Sequence, residues 1–193
     1  MEEQTSGQTQ VFDRVAYAKE IEGRILAQFG NDLVALLKYD QLNSQIADTD
    51  IRNGARLMQD FKSACEAAVM LFARAEKEYN SSKAYSESEH SKAALERADF
   101  WLSRKQTFEG KPLKDSGSLR DTYADMDVIY LRAREAEFAY KAFMVFLKGK
   151  IDSYSEGFYA VKEAFKAASQ TPFARSGHDG IPSGGDGPGF ERR

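Results

Sequence analysis

Apolar residues recur along most of this chain at spacings of three and four, the pattern of helices that each bury one stripe. The run is clearest from Leu57, where Phe61, Ala64, Ala68, Leu71, Ala75 and Tyr79 alternate steps of four and three. That alternation is the seam of a coiled coil. Between Ser81 and Ser91 the seam turns polar at Ser82, Ser86 and Ser88, which predicts a break or a loosely packed section. Ala94, Ala98, Trp101 and Phe108 resume it. A second run places Met126, Ala133, Tyr140, Leu147, Tyr154 and Val161 at every seventh position. Ile129, Ala136 and Phe143 fill its other seam position first, and Ile151, Phe158 and Phe165 fill it further on. This returning helix is expected over about 119–168, roughly 75 Å at 1.5 Å per residue. The turn falls near 109–119, around Lys111-Pro112-Leu113-Lys114-Asp115-Ser116-Gly117, with Ser118 and Asp121 as the expected cap of the return.

Upstream, Phe12, Val15, Ile25, Leu26 and Phe29 predict a first amphipathic helix containing Gly23. Gly30-Asn31-Asp32 reads as its stop, followed by a second helix through Leu33, Leu36, Leu37 and Ile46 and a third start after Asp48-Thr49-Asp50. Prolines stand only at 112, 172, 182 and 188. A proline inside a helix costs about 3 kcal/mol, so their positions leave room for two long helical stretches. Residues 1–10 are polar and read as a disordered leader. Residues 171–193, with six glycines between Gly177 and Gly189, read as a flexible, unstructured tail; the alternative has Phe173, Ile181 and Phe190 as docking anchors. The expected fold is all-α: an elongated helical hairpin or coiled-coil-like bundle over 11–170, with short N-terminal helices. A helix of the expected length needs partner surface, so a homo-oligomer is expected.

Composition changes the picture little. Charged residues make up 30% of the chain, apolar ones 42%, and mean hydropathy is −0.56, a balance suited to rods with narrow apolar stripes. No run approaches the roughly 18 apolar residues of a membrane span. Cys65 is the single cysteine, which predicts a reducing, cytoplasmic setting without an intrachain disulfide. Net charge is −3, distributed as −5 over residues 1–50, +2 over 51–170 and zero in the tail. A nucleic acid would therefore have to meet a local patch.

The candidate chemistry is sparse. His90 and His178 have no nucleophile near them in sequence, and no glycine-rich phosphate loop joins a strand to a helix. Asp48 to Gln59 imitates a calcium loop, but Arg52 takes a ligand position, Gly54 arrives one residue late and Gln59 replaces the final glutamate, so an N-cap is expected instead. Glu87, Glu89 and His90 have the wrong spacing to share a helical face as metal ligands. Neither an enzyme nor a cofactor is expected. What remains is the distal end of the hairpin, where Arg97, Arg104, Lys105, Lys111, Lys114 and Arg120 outnumber Asp99, Glu109 and Asp115 by three, with Phe100, Trp101 and Phe108 interleaved. Cations that track phosphates beside rings that stack on bases are how proteins hold single-stranded nucleic acid.

The segment from Ser91 to Lys105, reading SKAALERADFWLSRK, resembles the basic, aromatic-ended helix of phage recombination mediators of the UvsY type. Ala124-Asp125-Met126-Asp127-Val128, the long returning helix and Glu156-Gly157-Phe158-Tyr159-Ala160-Val161-Lys162 resemble that family's order and spacing, over about residues 50–168. The resemblance implies a helical, ring-forming protein that binds single-stranded DNA and helps load a RecA-like recombinase in place of single-strand-binding protein. It implies phosphate contacts by Lys92, Arg97, Arg104 and Lys105 with Trp101 close by; the basic cluster adds Lys111, Lys114 and Arg120. The alternative is a structural or adaptor coiled-coil protein, such as a virion or assembly component, in which the distal end is only a solvated tip.

Overall fold

A computed structural model describes residues 13–99, 107–108, 111–112 and 116–170, the four short-strand residues by their backbone alone. The expected leader and tail lie outside these residues, as do Trp101, Arg104, Lys105, Lys114 and the side chain of Lys111. Within them the chain is a helical bundle. Helix α1 spans Arg14–Leu37, a 3-10 helix spans Lys38–Asp48, α2 spans Gly54–Lys92, a π-helical turn covers Ala93–Arg97, α3 spans Gly117–Met126 and α4 spans Val128–Gln170. Thr107–Phe108 (β1) pairs antiparallel with Lys111–Pro112 (β2) in the connection between the two arms. No helix among the described residues is long and apolar enough to cross a membrane.

The hairpin of α2 and α4 is the body of the fold. Leu57, Phe61, Ala64, Ala68, Leu71 and Ala75 are all buried, as the sequence predicts, and meet Leu147, Tyr154 and Val161 from the returning arm. Small alanines let the two axes approach. The arms are in close contact at Gly157, where an added Cβ would lie 2.3 Å from the ring of the buried Phe61. Helix α1 lies along this pair and buries Ile21, Ile25, Phe29 and Leu36 against it, with the Phe29 and Phe143 ring centroids 5.3 Å apart.

Four expectations are corrected. Gly30 does not end a helix: α1 runs unbroken to Leu37 and takes in Leu33, Leu36 and Leu37 of the expected second helix, and only the part through Ile46 continues as the 3-10 helix. The packing of Phe29 and Leu36 on the hairpin outweighs the weak propensity of one glycine. The polar stretch 81–91 is not a break either, since α2 passes through it, burying Ser86 and Glu89 at seam positions. The returning helix, by contrast, is divided at Asp127. Its backbone is extended (φ −68°, ψ 126°), and its carboxylate accepts hydrogen bonds from the N–H groups of Ile129 and Tyr130. An aspartate that caps a new helix competes with continuation of the old one. Met126, predicted for the seam, is consequently 68% exposed. The start of the return is also two residues early, because Ser116 rather than Ser118 accepts the N–H of Leu119.

The 3-10 helix is fastened from α4. The hydroxyl of buried Tyr154 lies 2.7 Å from the Asp40 carboxylate and 3.0 Å from the Leu36 carbonyl, and Lys150 pairs with the same carboxylate. Burial raises the Asp40 carboxyl, but the hydrogen bonds from Lys150 and Tyr154 outweigh it and hold it below its ordinary value. Burial, and then Asp40 itself, pushes the Tyr154 phenol upward, so it remains a donor.

Apolar burial is therefore concentrated over 57–75, while 81–92 faces its partners through serine and glutamate. Local opening follows the density of buried apolar contacts. Backbone amides of 81–92 are expected to exchange with deuterium well before those of 57–75. Equal protection of the two stretches would contradict this gradient.

Candidate nucleic-acid interface at the distal end of the hairpin

The distal end is organised by a change of helical register. The seam of α2 steps by three or four through Ser86, Glu89 and Ala93, then by five to Ala98. The π turn absorbs the additional residue, with the Ala98 N–H reaching the Ala93 carbonyl. Single π turns often accompany functional sites. Here the turn keeps Ala98 on the buried face and aims Arg97 across to the start of α4.

Arg97 joins three elements. Its Nη1 lies 3.1 Å from the Glu89 carboxylate, its Nη2 donates to the Glu89 carbonyl at 2.9 Å, and its Nε lies 2.8 Å from the Asp127 carboxylate. The last contact is an ion pair whose angle gives no aligned hydrogen bond. Glu89 is only 5% exposed and also accepts from Lys92 at 2.8 Å. The hydrogen bond from Lys92, opposed by burial and reinforced by Arg97, holds the Glu89 carboxyl below its ordinary value. The same bond raises the Lys92 ammonium above its own. Both members of the pair therefore remain charged.

Arg120, from the first turn of α3, closes the other side. Its guanidinium donates to the carbonyls of Ala94 and Leu95 and to the Asp99 carboxylate, the last at 2.6 Å. His90 lies edge-on to the Tyr130 ring, 3.6 Å from an Asp125 carboxylate oxygen. Among the described residues no group of histidine, cysteine and carboxylate side chains is arranged to hold a metal ion.

Of the eight predicted DNA contacts, the structure brings Lys92, Arg97 and Arg120 to one end of the bundle, and each has an internal anionic partner. Lys92 keeps about half of its side chain in solvent, whereas Arg97 and Arg120 are mostly covered. Trp101, Arg104, Lys105, Lys111 and Lys114 belong to the connection that follows the π turn beyond Asp99 and returns at Ser116. Sequence reasoning missed Glu89 and Asp127. The seam spacing of Glu89 from Ser86 and Ala93 was the available signal, as was the placement of Asp127 just before the apolar Val128-Ile129. Comparison with protein-family models, with curated proteins and with solved structures returns no match.

Proposed function

We propose that this is a non-catalytic protein that binds single-stranded DNA at the distal end of its hairpin and acts as a recombination mediator for a RecA-like recombinase. The observation that carries the reading is the anchoring by Arg120, which ties α3 to both the π turn and Asp99. The connection from 100 to 115 thus starts and ends at one fixed base. It holds Arg104, Lys105, Lys111 and Lys114 against Glu109 and Asp115, together with Phe100, Trp101 and Phe108. Four cations and three rings in sixteen residues suit an extended, stacked strand. In this reading Lys92 adds a peripheral phosphate contact, and Arg97 and Arg120 act by positioning the connection.

A second reading, a structural or adaptor protein without a nucleic-acid role, is favoured by one specific observation. The three described cations of the cluster are already paired with Glu89, Asp127 and Asp99.

The test uses Trp101, the only tryptophan. Oligo-dT is titrated into the protein at about 50 and 200 mM salt, a range over which phosphate contacts weaken strongly. Quenching that fades with salt is expected. The Arg104→Ala, Lys105→Ala double variant should bind about tenfold more weakly, with a salt slope smaller by roughly 1.4, the value for two phosphate contacts to a single strand. Absence of both quenching and an anisotropy change of labelled DNA would favour the second reading.

A further inference from the structure

We infer that the outer face of α4 is a dimerisation surface whose partner is a second, antiparallel copy of the same helix. The hairpin seam occupies one side of α4, around Leu147 and Tyr154. At 100° per residue, Phe138, Val145 and Gly149 lie roughly opposite it. Phe138 is 41% exposed and Val145 66% exposed, with Tyr159 also exposed further along the outer side. These positions, with Ala142, Asp152 and Glu156, step by four and three, forming a second seam that no element of this chain covers among the described residues.

Charge identifies the occupant. Between Arg134 and Glu163 the cations Arg134, Lys141 and Lys148 lie in the N-terminal half of this outer face and the anions Asp152, Glu156 and Glu163 in the C-terminal half, with Lys162, over the Tyr159 ring, at its edge and Lys166 beyond its end. All six are exposed, and none has an ion-pair partner among the described residues. A surface sorted in this way is complementary to itself only when reversed. A twofold axis between Lys148 and Gly149 sets Arg134 opposite Glu163 of the second copy, Lys141 opposite Glu156, and Phe138 opposite Tyr159. Lys148 then comes within one turn of Asp152 of the second copy. A parallel pairing would set cations on cations. At the centre, Gly149 has nothing within 4 Å of where a Cβ would stand, which leaves room for the Lys148 side chain of the second copy opposite it. The contact spans about 45 Å of helix. The twofold requires each surface patch to be complementary to itself, and this one is.

Sedimentation velocity on the full chain is expected to show a dimer. Lys141→Glu alone, or Glu156→Lys alone, sets like charges opposite each other twice per dimer and should weaken association at least about tenfold, with far-UV circular dichroism unchanged. In an equimolar mixture of the two variants every altered charge meets its opposite, and dimer formation should recover to within roughly threefold of the parent. The inference is overturned if the parent is a monomer throughout the concentration series. It is equally overturned if either substitution leaves assembly unchanged, or if the mixture fails to recover. None of these readouts depends on DNA binding.

Discussion

Replacing Arg97 with alanine is expected to destabilise the folded chain by about 3 kcal/mol or more, far beyond the loss from removing an exposed cation. The arginine has two carboxylates and a carbonyl as partners, and one of those carboxylates, Glu89, is almost wholly buried. Without the guanidinium, Glu89 retains only Lys92, and Asp127 loses its counter-charge while still capping α4. A buried carboxylate stripped of one partner is destabilising because the desolvation penalty remains while the attraction is lost. Chemical denaturation of the parent and the variant measures the difference. A loss under 1 kcal/mol would mean that the cluster is a solvated surface network and would return Arg97 to the pool of free phosphate contacts. Acid provides an independent check. The folded-state carboxyl of Glu89 titrates below its unfolded value. Between the two values the unfolded chain binds more protons, so stability rises with pH there. The contribution is present above the ordinary glutamate range and is lost as pH falls through the depressed folded value. Glu89→Gln should flatten that acid limb of the stability profile.

Gly157→Ala is expected to be destabilising by about 2 kcal/mol, although alanine is the better helix former by roughly 1 kcal/mol. The new methyl would meet the Phe61 ring at 2.3 Å, and Phe61 is fully buried, so the ring has nowhere to swing without separating the arms. Gly23→Ala, within α1 and with nothing within 4 Å, is the control and should stabilise by about 0.5–1 kcal/mol. Shortening the ring with Phe61→Leu in the Gly157→Ala background should recover part of the loss, so that the double variant is more stable than the two single effects predict. Strict additivity would show that the methyl is accommodated elsewhere.

The contrast between these glycines also marks what was legible in the sequence. The α2 seam could be read residue by residue because burial at period 3.5 constrains every third or fourth position. Phe61 and Leu71 declare themselves in this way. A glycine does not declare whether it stops a helix, lies open on one or admits a facing ring. Gly30, Gly149 and Gly157 look alike until the partner helix is in place. The heptad count ran through Asp127 because counting apolar residues ignores a side chain that captures its own backbone. Glu89 looked like part of a solvated stretch, since its neighbours Glu87 and Ser88 are exposed. At the candidate site the sequence located the cluster of cations. It could not distinguish an arginine that faces solvent from one that clamps two helices, and that distinction depends on carboxylates 8 and 30 positions away in the chain.

The uneven seam bears on how the hairpin assembles. Contacts at the distal end, such as Arg120 with the Ala94 carbonyl, join residues 26 apart, whereas Phe61 and Gly157 are separated by almost four times as much chain. Loop closure therefore favours starting at the distal end, but only by about 1 kcal/mol, because the entropy grows with the logarithm of loop length. One buried leucine contributes about 1.5–3 kcal/mol, which is already more than that difference. The arms are therefore expected to zip from the end with the longer loop and the denser packing, with higher φ-values at Phe61 and Leu71 than at Ala98.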